Sequence, residues 1–421
     1  MSNAVQRDKN GPGMSAPRTV IVIGGGPAGV FAAIGAKRED PAVSVILLTE
    51  EACEPYEKPP LSKAVLTGKA LPQDALIAGP KGLAGHDIAL ELQARCATID
   101  PAARQVVTES GRRLSYDALV IATGSVVREI PPLPLGMPRV HYLRTETHAR
   151  ALAAELKASQ HLIVIGGGLI GLEVAASAAE IGVKTTVIEM APRILSRVCD
   201  EETGARIHDE HRRHGVEIRV GTALAAARAE SGKRIAITNG AGETIVGDMV
   251  VVGTGAKPDD RLAAAAGIKT DNGIIIDEYC RTSDPAIYAA GDVVRFPGPH
   301  GLVRLEEWRH AQDQGAIAGR NAAGANVAYR SVPSFWSEQY DLYIQGVGWP
   351  APDRLRVRRP MAGNSMLAFE FDGTYIAAAL GINAQRDIAA ARRLIERRIP
   401  VDAAALADAA RPLNDLLKAK A

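Results

Sequence analysis

"TVIVIGGGPAGVFAAIGAKRE" occupies residues 19–39, and "HLIVIGGGLIGLEVAASAAEIG" repeats its pattern at residues 161–182. Each opens as an apolar run of strand type, passes through a glycine turn, and continues as an alanine-rich stretch of helical length. A second apolar strand follows each one and ends on an acid, "SVILLTE" at Glu50 and "TTVIE" at Glu189. Strand, G-x-G-x-x-G, helix, strand and acid, in that order, form a dinucleotide-binding fingerprint. The first glycine allows the tight turn, the second lets the backbone approach a pyrophosphate, and the third permits close helix–strand packing. The helix N-terminus adds a positive dipole, and the acid accepts hydrogen bonds from ribose hydroxyls. Gly24, Gly26 and Gly29, with Pro27 and Ala28 between the last two, make the first copy. Gly166, Gly168 and Gly171 make the second. Two complete copies predict two bound dinucleotides.

Working outward, "YDALVIATGS" (116–125) and "DMVVVGTGAKP" (248–258) are buried strands ending in glycine turns. Each returns the chain from one nucleotide unit to the next. Near residue 330 the pattern changes. Aromatics appear in "SFWSEQYDLYIQGVGW", followed by alternating short strands and a helical segment near 384–398. This predicts a smaller third domain of mixed strand and helix.

Bulk properties exclude several classes. A chain of 421 residues predicts two or three domains. With 47% apolar residues, 23% charged residues and a net charge of +1, no global field recruits nucleic acid or membrane. Arginine pairs such as Arg392-Arg393 and Arg397-Arg398 read as solvated helix faces. Residues 1–17, "MSNAVQRDKNGPGMSAP", read as a loose tail without the apolar stretch of a signal peptide. Cys53, Cys96, Cys199 and Cys280 are scattered and form no C-x-x-C motif, which suits a reducing cytoplasm. His208, His211 and His214 in "RIHDEHRRHG" are spaced like metal ligands, but their charged neighbours predict a solvated helix face.

Taken together, "PYEKPPLSK" (55–63), both fingerprints, "YAAGDVVRF" (288–296), "RLEEWRHAQDQG" (304–315) and "SFWSEQYDLYIQGVG" (334–348) carry a resemblance. The chain resembles the FAD-dependent, NADH-linked ferredoxin reductases of oxygenase systems, with apoptosis-inducing factor as a relative. The match runs in order over roughly residues 18 to 400. It implies an α/β, glutathione-reductase-like fold with two dinucleotide-binding units and a C-terminal α+β domain. The implied boundaries are an FAD-binding domain over 18–125 and 254–330, an NADH-binding domain over 126–253, and a C-terminal domain over 331–421.

The resemblance also assigns roles. The first fingerprint would hold the FAD pyrophosphate, with Glu50 on its ribose. Lys58 and Lys63 match basic positions contacting FAD, Lys63 being nearest the flavin ring. Arg144 matches an arginine near the FAD, Cys96 a main-chain contact to the adenine, and Asp292 an aspartate on the ribityl chain. Read without the family, Asp292 is a carboxylate at an apolar strand end after small residues, which suits a ligand contact and is compatible with a helix N-cap, and Lys63 is an exposed lysine at a helix start. Gly166, Gly168 and Gly171 would take NADH, and Glu189 would favour it over NADPH by repelling a 2′-phosphate. Arg193 and Arg197 follow closely. Glu173 would reach the nicotinamide end and pair with Lys63; its simpler reading is an acid in a first helical turn. Trp308 would lie beside the flavin, with Glu306 and Glu307 in the same pocket.

The implied activity is hydride transfer from NADH to FAD, then single-electron delivery to a [2Fe–2S] ferredoxin supplying a monooxygenase or Rieske dioxygenase. Two rivals share the scaffold. A disulfide or peroxide reductase needs a cysteine after "PY", where this chain has Pro59, Pro60, Leu61, Ser62 and Lys63. An NADH-sensing binding protein resembling apoptosis-inducing factor is disfavoured by a pI near 7.7.

Overall fold

The computed structural model describes residues 18–418, so the predicted tail over residues 1–17 lies outside the described residues. Each fingerprint strand stands at the centre of a five-stranded parallel sheet. Thr19–Ile23 is flanked by Ser44–Leu48 on one side and Ala118–Ile121 on the other. Ala89–Glu91 and Ile287–Ala289 complete the edges. In the second sheet His161–Ile165 lies between Lys184–Ile188 and Met249–Val252, with Glu217–Arg219 and Val140–Tyr142 outside them. Central strands covered on both faces carry unbroken apolar runs, and Val20, Ile21 and Val22 are fully buried. Strand order reverses next to each fingerprint strand, which opens a crevice at its carboxyl end.

The chain leaves the first unit through Ser125–Val127 and returns through Ala256–Pro258, and these two segments pair as an antiparallel ribbon. Close packing of small residues joins the first fingerprint helix, Pro27–Glu39, to the helix Trp308–Ala322. A Cβ on Gly315 would lie 2.2 Å from the Ala28 carbonyl oxygen, and one on Gly35 would lie 2.4 Å from that of Ala316. These two helices touch through backbone. The first turn of Trp308–Ala322 is thereby held beside the first glycine loop.

The remaining chain forms a five-stranded antiparallel sheet in the order Ser334–Gln339, Leu342–Gly348, Tyr375–Ile382, Met366–Asp372, Arg356–Arg359. The helix Gln385–Glu396 covers it, burying Ile388, Ala391 and Leu394. Its first strand, Ser334–Gln339, packs against the helix Leu169–Glu180 of the second unit.

Contrary to the expected solvated face, of His208 and His211 on the helix Glu201–Arg213 and His214 at its C-cap, His211 is fully buried. The turn after Ser334–Gln339 closes over it, and Gln339 and Tyr340 meet its two ring nitrogens at 2.9 and 3.2 Å.

Candidate active site

A cavity of about 570 Å³ runs from the first glycine loop to the start of the helix Leu169–Glu180. Its floor is the loop after Thr19–Ile23. Gly24 takes φ +118°, and a Cβ there would lie 2.1 Å from the Ala122 carbonyl oxygen, so only glycine fits. Gly29 is tighter, its Cβ falling 1.9 Å from the Gly24 oxygen. Gly26 differs, because nothing of the protein lies within 4 Å of where its Cβ would be. It is also the N-cap of the helix and offers no side-chain cap to the first-turn N–H groups. An open glycine beneath uncapped N–H groups is a cradle for a phosphate. The second loop repeats this geometry: Gly166 sits under the Gly253 carbonyl, and Gly168 is open. These residues fit two dinucleotides.

Glu50, just after the strand Ser44–Leu48, and Cys96, which opens the strand Cys96–Asp100, also line the cavity. The Glu50 carboxylate lies 3.6 Å from Arg95 and is largely exposed. Deeper in, Lys58 donates to Glu51 Oε1 at 2.9 Å, while the Tyr56 hydroxyl donates to Glu51 Oε2 at 2.6 Å. Burial pushes the Lys58 pKa down, opposed by the Glu51 charge. Asp292 accepts from Ser125 Oγ at 2.9 Å and Arg144 at 3.2 Å. No helix starts there, since the strand Val294–Gly298 follows, so Asp292 is not an N-cap.

At the far end Lys63 closes the 3-10 turn Pro59–Ser62. Proline at its first two positions fixes φ and gives the turn little freedom. The ammonium is turned inward, 18% exposed, and lies 3.4 Å from the Glu173 carboxylate, so it is not the exposed lysine of the simpler reading. Glu173 is the fifth residue of its helix and is buried, with Ser62 and Ser337 also donating to it. A buried pair costs desolvation that good geometry and further hydrogen bonds must offset. Here both carboxylate oxygens are satisfied.

Trp308 and Trp336 form the side wall, edge to face at 5.9 Å. Burial raises the Glu57 pKa, opposed by the Trp308 N–H, which turns toward its carboxyl without making a hydrogen bond of normal geometry. Glu307 accepts from the Ser334 N–H at 2.9 Å. Burial first, then the Asp292 charge, raises its pKa to about 7, against the Ser334 N–H, which lowers it. The folded apoprotein therefore binds a proton more tightly there than the unfolded chain. Stability falls as pH rises from the ordinary carboxyl value through 7. Glu307→Gln removes that slope: its unfolding free energy relative to wild-type apoprotein should rise between pH 5 and pH 8, by roughly 1–3 kcal/mol, read by urea denaturation. Parallel pH curves for the two proteins would contradict the assignment.

Gly166, Gly168, Gly171 and Glu189 do not line this cavity and lie along the second sheet. Both Glu189 oxygens are engaged by backbone N–H groups, of Gly167 at 2.6 Å and Ala191 at 2.7 Å. Arg193 folds back to donate to the Ser196 carbonyl at 3.1 Å. All four cysteines are free thiols. Burial raises Cys53 to about 12, helped by its hydrogen bond to Glu146, and raises Cys96 and Cys199 to about 11. Cys280 is pushed up further by complete burial. None supplies a thiolate at neutral pH.

Sequence reasoning passed over Trp336, Ser62, Ser337 and Glu51. Trp336 carried a usable signal, one of only three tryptophans and set in an aromatic run. The serines carried none.

Residues 18–315 match the family described as pyridine nucleotide-disulphide oxidoreductase, and residues 334–417 match the reductase C-terminal family. Rhodocoxin reductase of Rhodococcus erythropolis is 35% identical, with 93% of this chain and 92% of that protein covered. The ferredoxin–NAD(+) reductase component of the p-cumate 2,3-dioxygenase system of Pseudomonas putida is 36% identical, over 94% and 98%. The reductase in the covalent putidaredoxin reductase–putidaredoxin complex superposes with a TM-score of 0.90 at 32% identity, over 96% of this chain and 99% of that one.

Proposed function

The chain belongs to the pyridine nucleotide-disulphide oxidoreductase family, and from that premise we propose that it is an FAD-dependent NADH:ferredoxin reductase serving an oxygenase system. The overall reaction is NADH plus two oxidised ferredoxins giving NAD⁺, two reduced ferredoxins and a proton. Bound FAD supplies the exchange between a hydride on one side and single electrons on the other. The observation that carries the reading is the single cavity joining an open glycine cradle to the Lys63–Glu173 pair with no paired thiol in its wall.

The protein's own contribution is positioning and electrostatics. Gly24, Gly26, Pro27, Ala28 and Gly29 would hold the FAD pyrophosphate at uncapped N–H groups, and Glu50 and the Cys96 main chain would flank its adenosine. Lys58, Arg144, Asp292 and Glu307 would line the path of the FAD inward. Lys63 places a cation where added negative charge is favoured, and Glu173 holds that cation still. Trp308 and Trp336 keep water from one side of the reacting region. Gly166, Gly168, Gly171 and Glu189 would take the NADH. We assign residues 18–125 and 254–330 to the FAD-binding domain, 126–253 to the NADH-binding domain and 331–421 to the C-terminal domain. The two fingerprint-centred sheets and the ribbon between 125–127 and 256–258 support that division. The partner is a [2Fe–2S] ferredoxin, delivering to a monooxygenase or Rieske dioxygenase. Four free cysteines suit the reducing cytoplasm as its place. No helix of the described residues is long and apolar enough to cross a membrane.

Purified FAD-loaded protein should reduce cytochrome c with NADH at a rate set by added [2Fe–2S] ferredoxin. Fast reduction of a disulfide or peroxide without ferredoxin would overturn the proposal. Coenzyme choice gives a separate expectation. Glu189→Ala removes both the loop brace and the charge opposing a 2′-phosphate. KM for NADH should rise about tenfold with kcat little changed, and the preference over NADPH should narrow. An unchanged NADH/NADPH ratio of kcat/KM would remove Glu189 from that role.

A further inference from the structure

Ser337 and Gln339 sit two apart on the strand Ser334–Gln339, so both side chains point to the same face. That face is buried: Ser337 is 0% and Gln339 1% exposed, and His211 behind them is 0% exposed. Apolar residues would pack there at lower cost unless every polar atom is satisfied. Here they are joined in one chain. Ser337 Oγ lies 2.7 Å from Glu173 Oε1, Gln339 Nε2 3.0 Å from Ser337 Oγ, His211 Nε2 2.9 Å from Gln339 Oε1, and Tyr340 Oη 3.2 Å from His211 Nδ1.

The direction of the chain follows from its inner end. The carboxylate of Glu173, paired with Lys63, accepts only, so Ser337 must donate its single hydroxyl hydrogen there. Ser337 Oγ then accepts, which turns the Gln339 NH₂ toward it and the Gln339 carbonyl toward His211. His211 is consequently protonated at Nε2 and accepts from Tyr340 at Nδ1. Burial keeps this imidazole neutral, with a pKa lowered to about 4. Each donor points along the same path toward Glu173. From the other side Ser62 donates to the second carboxylate oxygen, and Ser62 is itself fixed by Ser177, whose hydroxyl donates to its carbonyl at 2.7 Å.

We propose that Ser337, backed by Gln339 and His211, is a positioning residue for hydride transfer: it fixes the Glu173 carboxylate so that Lys63 is held at the cavity. The C-terminal unit thus completes a pair whose two members come from the segments on either side of the cavity. This inference rests on the reading that Lys63 and Glu173 stand beside the flavin and the nicotinamide. It adds a third part of the chain to the site and assigns a purpose to a buried polar path that packing alone does not require.

The test compares Ser337→Ala, Ser337→Thr and Lys63→Ala in FAD-loaded protein. The readouts are anaerobic stopped-flow reduction by NADH, the flavin midpoint potential by spectroelectrochemistry, and flavin content. Ser337→Ala should reduce about tenfold more slowly, the usual loss for one hydrogen bond to a charged group. Its midpoint potential should fall, because the cation is less well held, while flavin content and the NADH dissociation constant stay at wild-type values. Ser337→Thr, which keeps the hydroxyl, should restore both rate and potential. Wild-type rate and potential in Ser337→Ala, with Lys63→Ala slow, would overturn this inference alone. Wild-type behaviour of Lys63→Ala would overturn the site reading beneath it. Should Ser337→Ala fail to fold, Gln339→Met carries the test, since it leaves the Ser337 hydroxyl in place but unfixed. A slower rate and lower potential support the proposal, and wild-type values for both overturn it.

Discussion

Lys63→Ala slows reduction of the flavin by NADH by about a hundredfold, the scale expected when one preorganised charge is removed from a water-poor site. The ammonium is 3.4 Å from Glu173 and mostly withdrawn from solvent, so its charge acts in a low dielectric. Its removal leaves Glu173 without a counter-ion and places an uncompensated negative charge in the cavity wall. Both effects oppose delivery of negative charge to the same region. Glu173 keeps the hydrogen bonds from Ser62 and Ser337, so the fold should persist and FAD should remain bound through the glycine loop. Cys53→Ser is the matched control. Cys53 lies in the same segment but points to Glu146 at 3.1 Å with a protonated thiol, and its loss should leave the reduction rate unchanged. Stopped-flow absorbance of the flavin reads both, and equal rates for Lys63→Ala and wild type would remove Lys63 from the mechanism.

Gly319→Ala destabilises the protein by roughly 3 kcal/mol, at the upper end of overpacking costs, and loosens FAD. A Cβ on Gly319 would lie 1.8 Å from the Ala32 carbonyl oxygen and 2.6 Å from its carbon. The obstacle is backbone inside the helix Pro27–Glu39, so no side chain can swing aside. The helices must separate, and with them the cradle at Gly26 and the wall at Trp308. Against a total stability of about 5–15 kcal/mol, that is a large share. Gly240→Ala provides the contrast: its nearest atom would be 3.9 Å away, and its backbone is not in the left-handed region. It should fall within about 0.5 kcal/mol of wild type. Urea unfolding of the two apoproteins, with FAD affinity by fluorescence, measures the difference.

The parts legible in the sequence are those fixed by local sterics. Gly24, Gly29, Gly166 and Gly171 stand where a Cβ would strike a backbone oxygen, and that constraint shows up as a spaced motif. The two parallel sheets follow from apolar runs bounded by those turns. Long-range pairings were not legible. Ser337 and Glu173 are 164 residues apart, and nothing local marks a serine in a strand as a partner for a helix glutamate. His211 misled for the same reason: Asp209, Arg212 and Arg213 around it are exposed, while the ring, with Glu210, turns inward to the contact made by Gln339. The resemblance supplied Lys63, which residue type alone left as an exposed lysine, and gave Asp292 its ribityl role, where the strand-end pattern already suited a ligand contact but left an N-cap open. Their burial and partners come from chain segments far removed in sequence.

In the proposed reaction, electrons pass from NADH to an iron–sulfur carrier without a thiol relay. Protein reduced anaerobically with one equivalent of NADH, then mixed with excess oxidised [2Fe–2S] ferredoxin, tests it when reduced ferredoxin is counted by electron paramagnetic resonance and free thiols are titrated before and after. Two reduced ferredoxins per NADH, with four free thiols throughout, is the predicted result. Unreduced ferredoxin, or a thiol count that drops by two as the electrons leave, would contradict it.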